Sequence, residues 1–313
     1  MIPQDVTRET YPPPWSAQIE LTYGCQLRCP MCALETMPIG RAERHFMTLE
    51  TARKIASSLR EFAPGARIEF AMRGEPLLNP QWQAIVSTFQ AAFPRSSLLL
   101  ATNGLEIRRD PSMLVALHEL TNILLVDLYD PHGASVREAI TKAARGWKLR
   151  DYFDGDFRPW WNHGPGLKTI VFVDDVLRRD GERIARRLSN LGGNSLMGEK
   201  VYQMKRLCTI VGREMVFHWD GVVPLCCEDW AREYPLGSIG ESTVEQLWRS
   251  DRAWTARVLL RRGQRLFSPC EDCDERPAMS SLVHRYPEPT EADLVRAQGY
   301  GTRGKPNRAG GPS

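Results

Sequence analysis

Three cysteines, Cys25, Cys29 and Cys32, stand in the stretch Ile19-Glu-Leu-Thr-Tyr-Gly-Cys-Gln-Leu-Arg-Cys-Pro-Met-Cys32. A [4Fe–4S] cluster ordinarily takes four cysteine thiolates, so three leave one iron open to a reactive ligand. Zinc sites pair cysteines or combine them with histidine, and no histidine lies near this triplet. The spacing therefore favours a catalytic cluster; the alternative is three buried or zinc-bound thiols. A second set follows in the C-terminal third, at Cys208, Cys226, Cys227 and Cys270-Glu-Asp-Cys273. Four thiolates complete a cluster with no open iron, which suits electron transfer or structure. A four-cysteine zinc site with a Cys-x2-Cys knuckle is also chemically sound. Cys226 and Cys227 end a predicted hairpin turned at Asp220-Gly221. Neighbours on a strand face opposite ways, so only one of the two is expected to join the other thiols.

These residues need elements to hold them. Ser16–Tyr23 alternates small or apolar with polar residues and reads as a strand broken at Gly24. Leu49–Phe62 and Gln81–Phe93 carry apolar residues at helical spacing, the first behind a Thr48 N-cap. Leu98-Leu-Leu-Ala-Thr-Asn-Gly104, Ile123–Tyr129 and Lys168–Val173 are further apolar runs of strand length. Repeated strand–helix units imply a parallel α/β sheet with right-handed crossovers, and periodicity alone does not separate a partial barrel from a doubly wound sheet. Pro12-Pro-Pro-Trp15 marks residues 1–15 as an extended lead-in. The segment 146–166 is aromatic and lacks aliphatic periodicity. It reads as a long functional loop, either over the substrate end of the sheet or across the opposite end. Residues 286–313 end in a Gly/Pro-rich stretch expected to be disordered.

A chain of 313 residues with 42% hydrophobic content can build one large domain and a small appendage. It has no membrane-length apolar run and no N-terminal signal pattern, which points to the cytoplasm. Eight cysteines there argue for metal or redox use rather than disulfides. A net charge of +3 is too small to mark a nucleic-acid binder. Arginines cluster at 178, 179, 183, 186, 187, 257, 261, 262 and 265, and most of them fall on predicted helices. They read as solvated faces before they read as a phosphate-binding surface.

Together these motifs resemble the radical S-adenosylmethionine (SAM) superfamily, whose cysteine triplet follows the first barrel strand. Met31 stands where that family usually has an aromatic residue near the adenine. Phe70-Ala-Met-Arg-Gly-Glu-Pro is similar to the family's Gly-Gly-Glu-Pro segment, with Arg73 in place of its first glycine. The resemblance implies that Gly74 and Glu75 face the SAM ammonium. It implies cofactor contacts from Asn103, in Thr-Asn-Gly at the third strand's end, where a plain Asn-Gly turn is the alternative, and from Asp127 at the ribose. Asp127 capping the next helix is the alternative for that residue. The second cysteine set resembles the auxiliary-cluster module of the SPASM and twitch subfamilies, in the shorter single-cluster form because no cysteine follows Cys273. Cys208, Cys226, Cys270 and Cys273 would ligate one auxiliary [4Fe–4S] cluster, with Cys227 a spectator.

The implied fold is a partial (β/α)6 TIM-like barrel over residues 16–200, followed by a hairpin and helix auxiliary-cluster domain over 201–285. The implied activity is reductive cleavage of SAM to a 5′-deoxyadenosyl radical that takes a substrate hydrogen, fed by a flavodoxin- or ferredoxin-type donor. An auxiliary cluster able to take an electron favours net oxidation, a dehydrogenation or crosslink, of a small molecule or peptide. The alternatives are a redox-neutral rearrangement or epimerisation, on a nucleotide or modified DNA base, and a non-catalytic iron–sulfur or zinc protein. A nucleic-acid partner has no support beyond the arginines and the aromatic loop, and no membrane partner is indicated. His132, His163 and His218 receive no role.

Overall fold

The computed structural model describes residues 4–37, 43–129, 131–152, 166, 168–174, 189–195, 197, 201, 205–275, 284–285 and 290–300. Its centre is a sheet of seven strands: β1 (Ser16–Ile19), β2 (Arg67–Phe70), β3 (Leu98–Thr102), β4 (Ile123–Leu128), β5 (Lys148–Asp151), β6 (Thr169–Asp174) and β7 (Glu214–Phe217). They lie in the order β7-β1-β2-β3-β4-β6-β5, and every pairing is parallel. This is the parallel α/β array expected of an open barrel. Helices α1 (Leu49–Phe62), α2 (Trp82–Ala92), α3 (Leu105–Arg109), α4 (Met113–Leu120) and α5 (Gly133–Ala143) lie between successive strands. The Thr48 hydroxyl caps α1 by accepting from the Thr51 N–H at 3.1 Å.

Strand alternation sorts the side chains onto two faces. Ala17, Ile19, Ile68, Phe70, Leu98, Leu100, Leu124, Val126, Ile170, Phe172, Met215 and Phe217 share one core with Ile55, Leu59, Ile85, Phe89, Val136 and Ile140 from the helices. The other face holds a separate cluster of Leu99, Ile123 and Val171, with Ala101, Leu125 and Tyr152 against it. By the same alternation Gln18, Glu20, Arg67, Glu69 and Glu214 also lie on this inner face. It is apolar along β3-β4-β6 and charged along β7-β1-β2.

Beyond β7 the chain turns at Asp220-Gly221 and forms short strands Val222–Val223 and Gly237–Ser238, paired antiparallel. Helices α6 (Val244–Trp248) and α7 (Asp251–Leu260) follow. A Thr243–Gln246 capping box starts α6, satisfying two N-terminal backbone groups at once. The lead-in packs beneath this region: the Tyr11 hydroxyl donates to Gly212 O at 3.0 Å and Trp248 Nε1 to Pro12 O at 2.9 Å.

Four expectations change. β7 does not serve the hairpin alone; it adds to the sheet edge in register from Glu214↔Ser16 to Phe217↔Ile19. The loop read over 146–166 opens with β5, an edge strand with Lys148 and Arg150 exposed, which gives no apolar alternation to read; residues 153–165 lie outside the described set. The presumed disordered tail contains helix α8 (Glu291–Tyr300), whose Ala297 is fully buried in a cluster with Leu259 and Leu260. Arg257 and Arg265 are not solvated: each is 2% exposed and bonded to backbone carbonyls. Arginines 178–187 lie outside the described residues. No helix among the described residues is long and apolar enough to cross a membrane.

Candidate active site

The cysteine triplet follows β1 on a loop that is closed against β2 by backbone alone. Gly24 and Gly74 form a parallel bridge, with Gly24 N–H donating to Arg73 O at 3.3 Å and Glu75 N–H to Gly24 O at 3.1 Å. A Cβ on Gly74 would stand 2.2 Å from Thr22 O and 2.7 Å from Gly24 O, so this approach admits only glycine. Cys25 Sγ accepts from Leu27 N–H at 3.4 Å and from Asn103 Nδ2 at 3.5 Å. Burial, with the nearby Glu75 and Cys32 charges, pushes the Cys25 thiol up to about 11, against the Leu27 and Asn103 hydrogen bonds.

Glu75 is the polar centre of this floor. Its Oε1 accepts from the Thr102 hydroxyl at 2.7 Å and Leu77 N–H at 3.1 Å, and its Oε2 accepts from Asn103 N–H at 2.8 Å. Only 2% exposed, it is pushed up to about 7 by burial, against the pull of those three donors. Asn103 is thus more than a turn residue: it touches both Glu75 and Cys25, and Gly104, at φ 73°, starts α3 immediately after it. Asp127 is pushed up to about 7 by burial and accepts a hydrogen bond from the Tyr129 hydroxyl. It does not cap α5, whose N-cap is His132. Met31 is half-buried, and its carbonyl accepts from Ser195 Oγ at 2.9 Å.

Arg73 occupies its position without left-handed backbone; the unusual φ falls on Met72, at 117°. Such strain costs of order 1–3 kcal/mol. The Arg73 guanidinium grips both Glu20 oxygens at 2.8 Å and donates through Nη1 to Trp230 O at 2.7 Å. Glu20 also accepts the backbone N–H groups of Arg73 at 3.2 Å and Trp219 at 3.1 Å. The guanidinium lies 4.8 Å from the Tyr23 ring, two residues before Cys25. One buried ion pair therefore joins the triplet loop, the Gly74-Glu75 segment and the C-terminal region. His218, fully buried, accepts from Arg232 Nε through Nδ1 at 2.8 Å beside this pair, and burial lowers its pKa.

Cys208, Cys226, Cys270 and Cys273 converge in the C-terminal region. Burial raises each thiol, and the charges of the other thiols are felt at Cys226, Cys270 and Cys273. Among the described residues no three His, Cys, Asp or Glu side chains are grouped to share one metal ion; in a cubane each thiolate binds its own iron, a wider arrangement. Cys227 is drawn away from this group, donating to Glu214 on β7. Alternation on a strand is not the cause, since Cys226 and Cys227 follow the strand in a turn where Asp229 N–H bonds Cys226 O at 3.2 Å.

The donor sets fit the groups implied by the resemblance. The triplet can hold a three-thiolate cluster beside a carboxylate suited to an ammonium, and the quartet can hold a second, fully ligated cluster. Sequence reasoning missed Glu20, Thr102, Tyr129 and Glu214. Glu20 and Glu214 left a usable trace, as charged residues at inward positions of strands.

Two outcomes test this geometry. Arg73→Ala strands the Glu20 carboxylate in the interior and is expected to cost about 3–5 kcal/mol, read from urea midpoints, with Glu20→Gln in the same chain recovering part of the loss. Glu75 ionises near the ordinary glutamate value of 4.5 in the unfolded chain but at about 7 when folded. The folded protein thus loses stability as pH rises through that window. Glu75→Gln should flatten the stability–pH profile between those two values, and an unchanged slope would contradict the burial argument.

The family model of the radical SAM superfamily matches residues 19–155, and that of the SPASM iron–sulfur cluster-binding domain matches residues 208–274. A SAM-dependent 2-deoxy-scyllo-inosamine dehydrogenase of Niallia circulans is 23% identical over 272 residues, covering 86% of this chain and 96% of that protein. The crystal structure of BtrN in complex with AdoMet and 2-DOIA shares the fold at TM-score 0.64 and 21% identity, over 85% of this chain and 95% of that one. Streptococcus suis SuiB bound to precursor peptide SuiA aligns at TM-score 0.51 and 13% identity, over 83% and 70%. Such proteins bind a [4Fe–4S] cluster with SAM and further iron–sulfur in the SPASM domain. The chain belongs to the radical SAM superfamily and carries a C-terminal SPASM iron–sulfur domain.

Proposed function

We propose that this enzyme is a dehydrogenase that oxidises an alcohol carbon of a small, amine-bearing polyol to a carbonyl. The observation that carries the reading is the convergence of the buried Cys208, Cys226, Cys270 and Cys273 thiols, each felt by others of the group. The inosamine dehydrogenase, aligned along nearly its whole length, supports the reaction class and the amine. Cys25, Cys29 and Cys32 would hold the first cluster, which together with SAM would supply a 5′-deoxyadenosyl radical. Gly74 gives the SAM methionyl group a close backbone approach, and ionised Glu75 accepts its ammonium. Asn103 steadies both Glu75 and Cys25, while Asp127 accepts from the ribose and Met31 lies against the adenine.

Removing hydrogen from an alcohol carbon leaves a carbon radical. It becomes a carbonyl only by losing one more electron and the hydroxyl proton; Cys208, Cys226, Cys270 and Cys273 would hold the auxiliary cluster that could accept that electron. Glu69 and Glu214, pushed up by burial, Glu214 to about 7, make the inner wall hospitable to an ammonium. The working setting is the cytoplasm, with eight free cysteines kept reduced and a flavodoxin- or ferredoxin-type donor. Among the described residues Arg257 and Arg265 give a nucleotide substrate no support, since both are spent on backbone carbonyls.

Anaerobically reconstituted protein should hold about eight irons, cleave SAM on reduction, and form carbonyl product from an aminocyclitol in step with 5′-deoxyadenosine. Replacing Cys25, Cys29 and Cys32 by Ala should abolish cleavage while leaving the second cluster visible; undiminished cleavage would end the assignment. Cys226→Ser should lose up to about four irons, still cleave SAM and stall before product. Cys227→Ser should keep its irons, and the reverse pattern would exchange the two roles.

A further inference from the structure

Three arginines are almost fully buried among the described residues: Arg73, Arg257 and Arg265. A buried guanidinium is expensive unless something offsets its charge. Arg73 has the Glu20 carboxylate. Arg257 donates to carbonyls and lies over two rings, with centroids 3.8 Å (Trp248) and 4.8 Å (Tyr11) away. Arg265 has neither. Its Nη1 donates to Cys273 O at 2.8 Å, Nη2 to Glu275 O at 3.0 Å and Nε to Arg206 O at 3.2 Å, all neutral carbonyls. Among the described residues no carboxylate pairs with it and no ring lies under it.

The nearby acids do not change this. Asp229 is occupied by the N–H groups of Leu225, Glu233 and Tyr234, and Glu228 accepts from Ser189 Oγ at 2.6 Å. Glu275 is partly buried and feels the Arg265 charge without forming an ion pair with it. What Arg265 does face is the thiol group. Its Nη1 bond to Cys273 O at 2.8 Å and Nη2 bond to Glu275 O at 3.0 Å fix the buried guanidinium on the backbone that carries Cys273, one of the four thiols. A cubane ligated by four thiolates carries net negative charge, and that charge, with hydrogen bonds to its sulfurs, sets its potential. Backbone N–H groups of Ile210 and Val211 reach Cys208, and Glu275 N–H reaches Cys273 Sγ at 3.4 Å, acting in the same direction.

We infer that Arg265 is the built-in counter-charge of the auxiliary cluster, a positioning residue that raises its reduction potential so that it can accept the substrate's electron. The inference rests on the ligand set proposed above. Positive charge fixed in a dry site favours the reduced, more negative cluster, and the carbonyl grip on Cys273 and Glu275 keeps that charge from moving away.

The test is an anaerobic redox titration of the full chain, following the auxiliary cluster by electron paramagnetic resonance, with the Cys25/Cys29/Cys32 Ala variant isolating its signal. Arg265→Gln should keep its irons and shift the auxiliary midpoint to lower potential. Arg265→Lys, which keeps the charge but loses the fork, should stay near the wild-type value. Loss of auxiliary irons in the Gln variant but not in the Lys variant would equally mark charge as the requirement. An unchanged or raised midpoint in Arg265→Gln, equal shifts in both variants, or iron loss in both would overturn the inference. A wild-type protein with only one cluster would instead bring down the ligand assignment beneath it.

Discussion

Glu20 has no exposed surface and bears a charge, a combination that survives only because Arg73 meets both its oxygens and two backbone N–H groups complete its shell. Breaking such a pair leaves an uncompensated ion, so the two residues hold their elements in one relation. The elements are the important part: Glu20 follows β1, Arg73 precedes the Gly74-Glu75 floor, and the third arm reaches Trp230, just beyond Cys226 and Cys227. The distance between two metal-binding regions is thereby set by an interior interaction.

The inner face of the sheet then divides the work. Its apolar side is a small buried cluster of Leu99, Ile123 and Val171, with Ala101, Leu125 and Tyr152 against it. Its charged side carries Glu214, which burial pushes up to about 7; in the loops beyond the strands burial pushes Glu75 to about 7 and Glu228 to about 8. Holding them there costs stability in the ligand-free protein, and perturbed carboxylates of this kind concentrate where ligands bind. Arg265 is a buried positive charge beside the thiol quartet, bonded to Cys273 O.

Much of the scaffold was legible because short-range signals and tertiary packing agree. β1 through β4, α1 and α2 all show hydrophobic periods that match the faces they bury, and Thr48 is the cap it was read to be. β5 was missed because an exposed edge strand has no apolar face to display. β7 was legible as a strand but not as a member of the main sheet, since its pairing with β1 joins residues about two hundred positions apart, and no local pattern records such a contact. Helix α8 was obscured by the Gly/Pro-rich residues that follow it.

The sequence by itself determined the reactive chemistry: which thiols occur in which spacing, a glycine where a backbone must approach closely, and the order of strands and helices. These are properties of residue type and local order, readable without coordinates. Tertiary structure alone decided what those groups meet. It turned Asn103 from a turn residue into the link between Glu75 and Cys25. It released Asp127 from helix capping, separated Cys227 from Cys226 by a turn rather than a strand, and converted Arg73, Arg257 and Arg265 from presumed irregularity or surface charge into interior clasps. Burial and charge compensation depend on neighbours distant in the chain, and for an ionisable side chain those neighbours, more than its type, decide whether it is solvated, paired or set against a metal site.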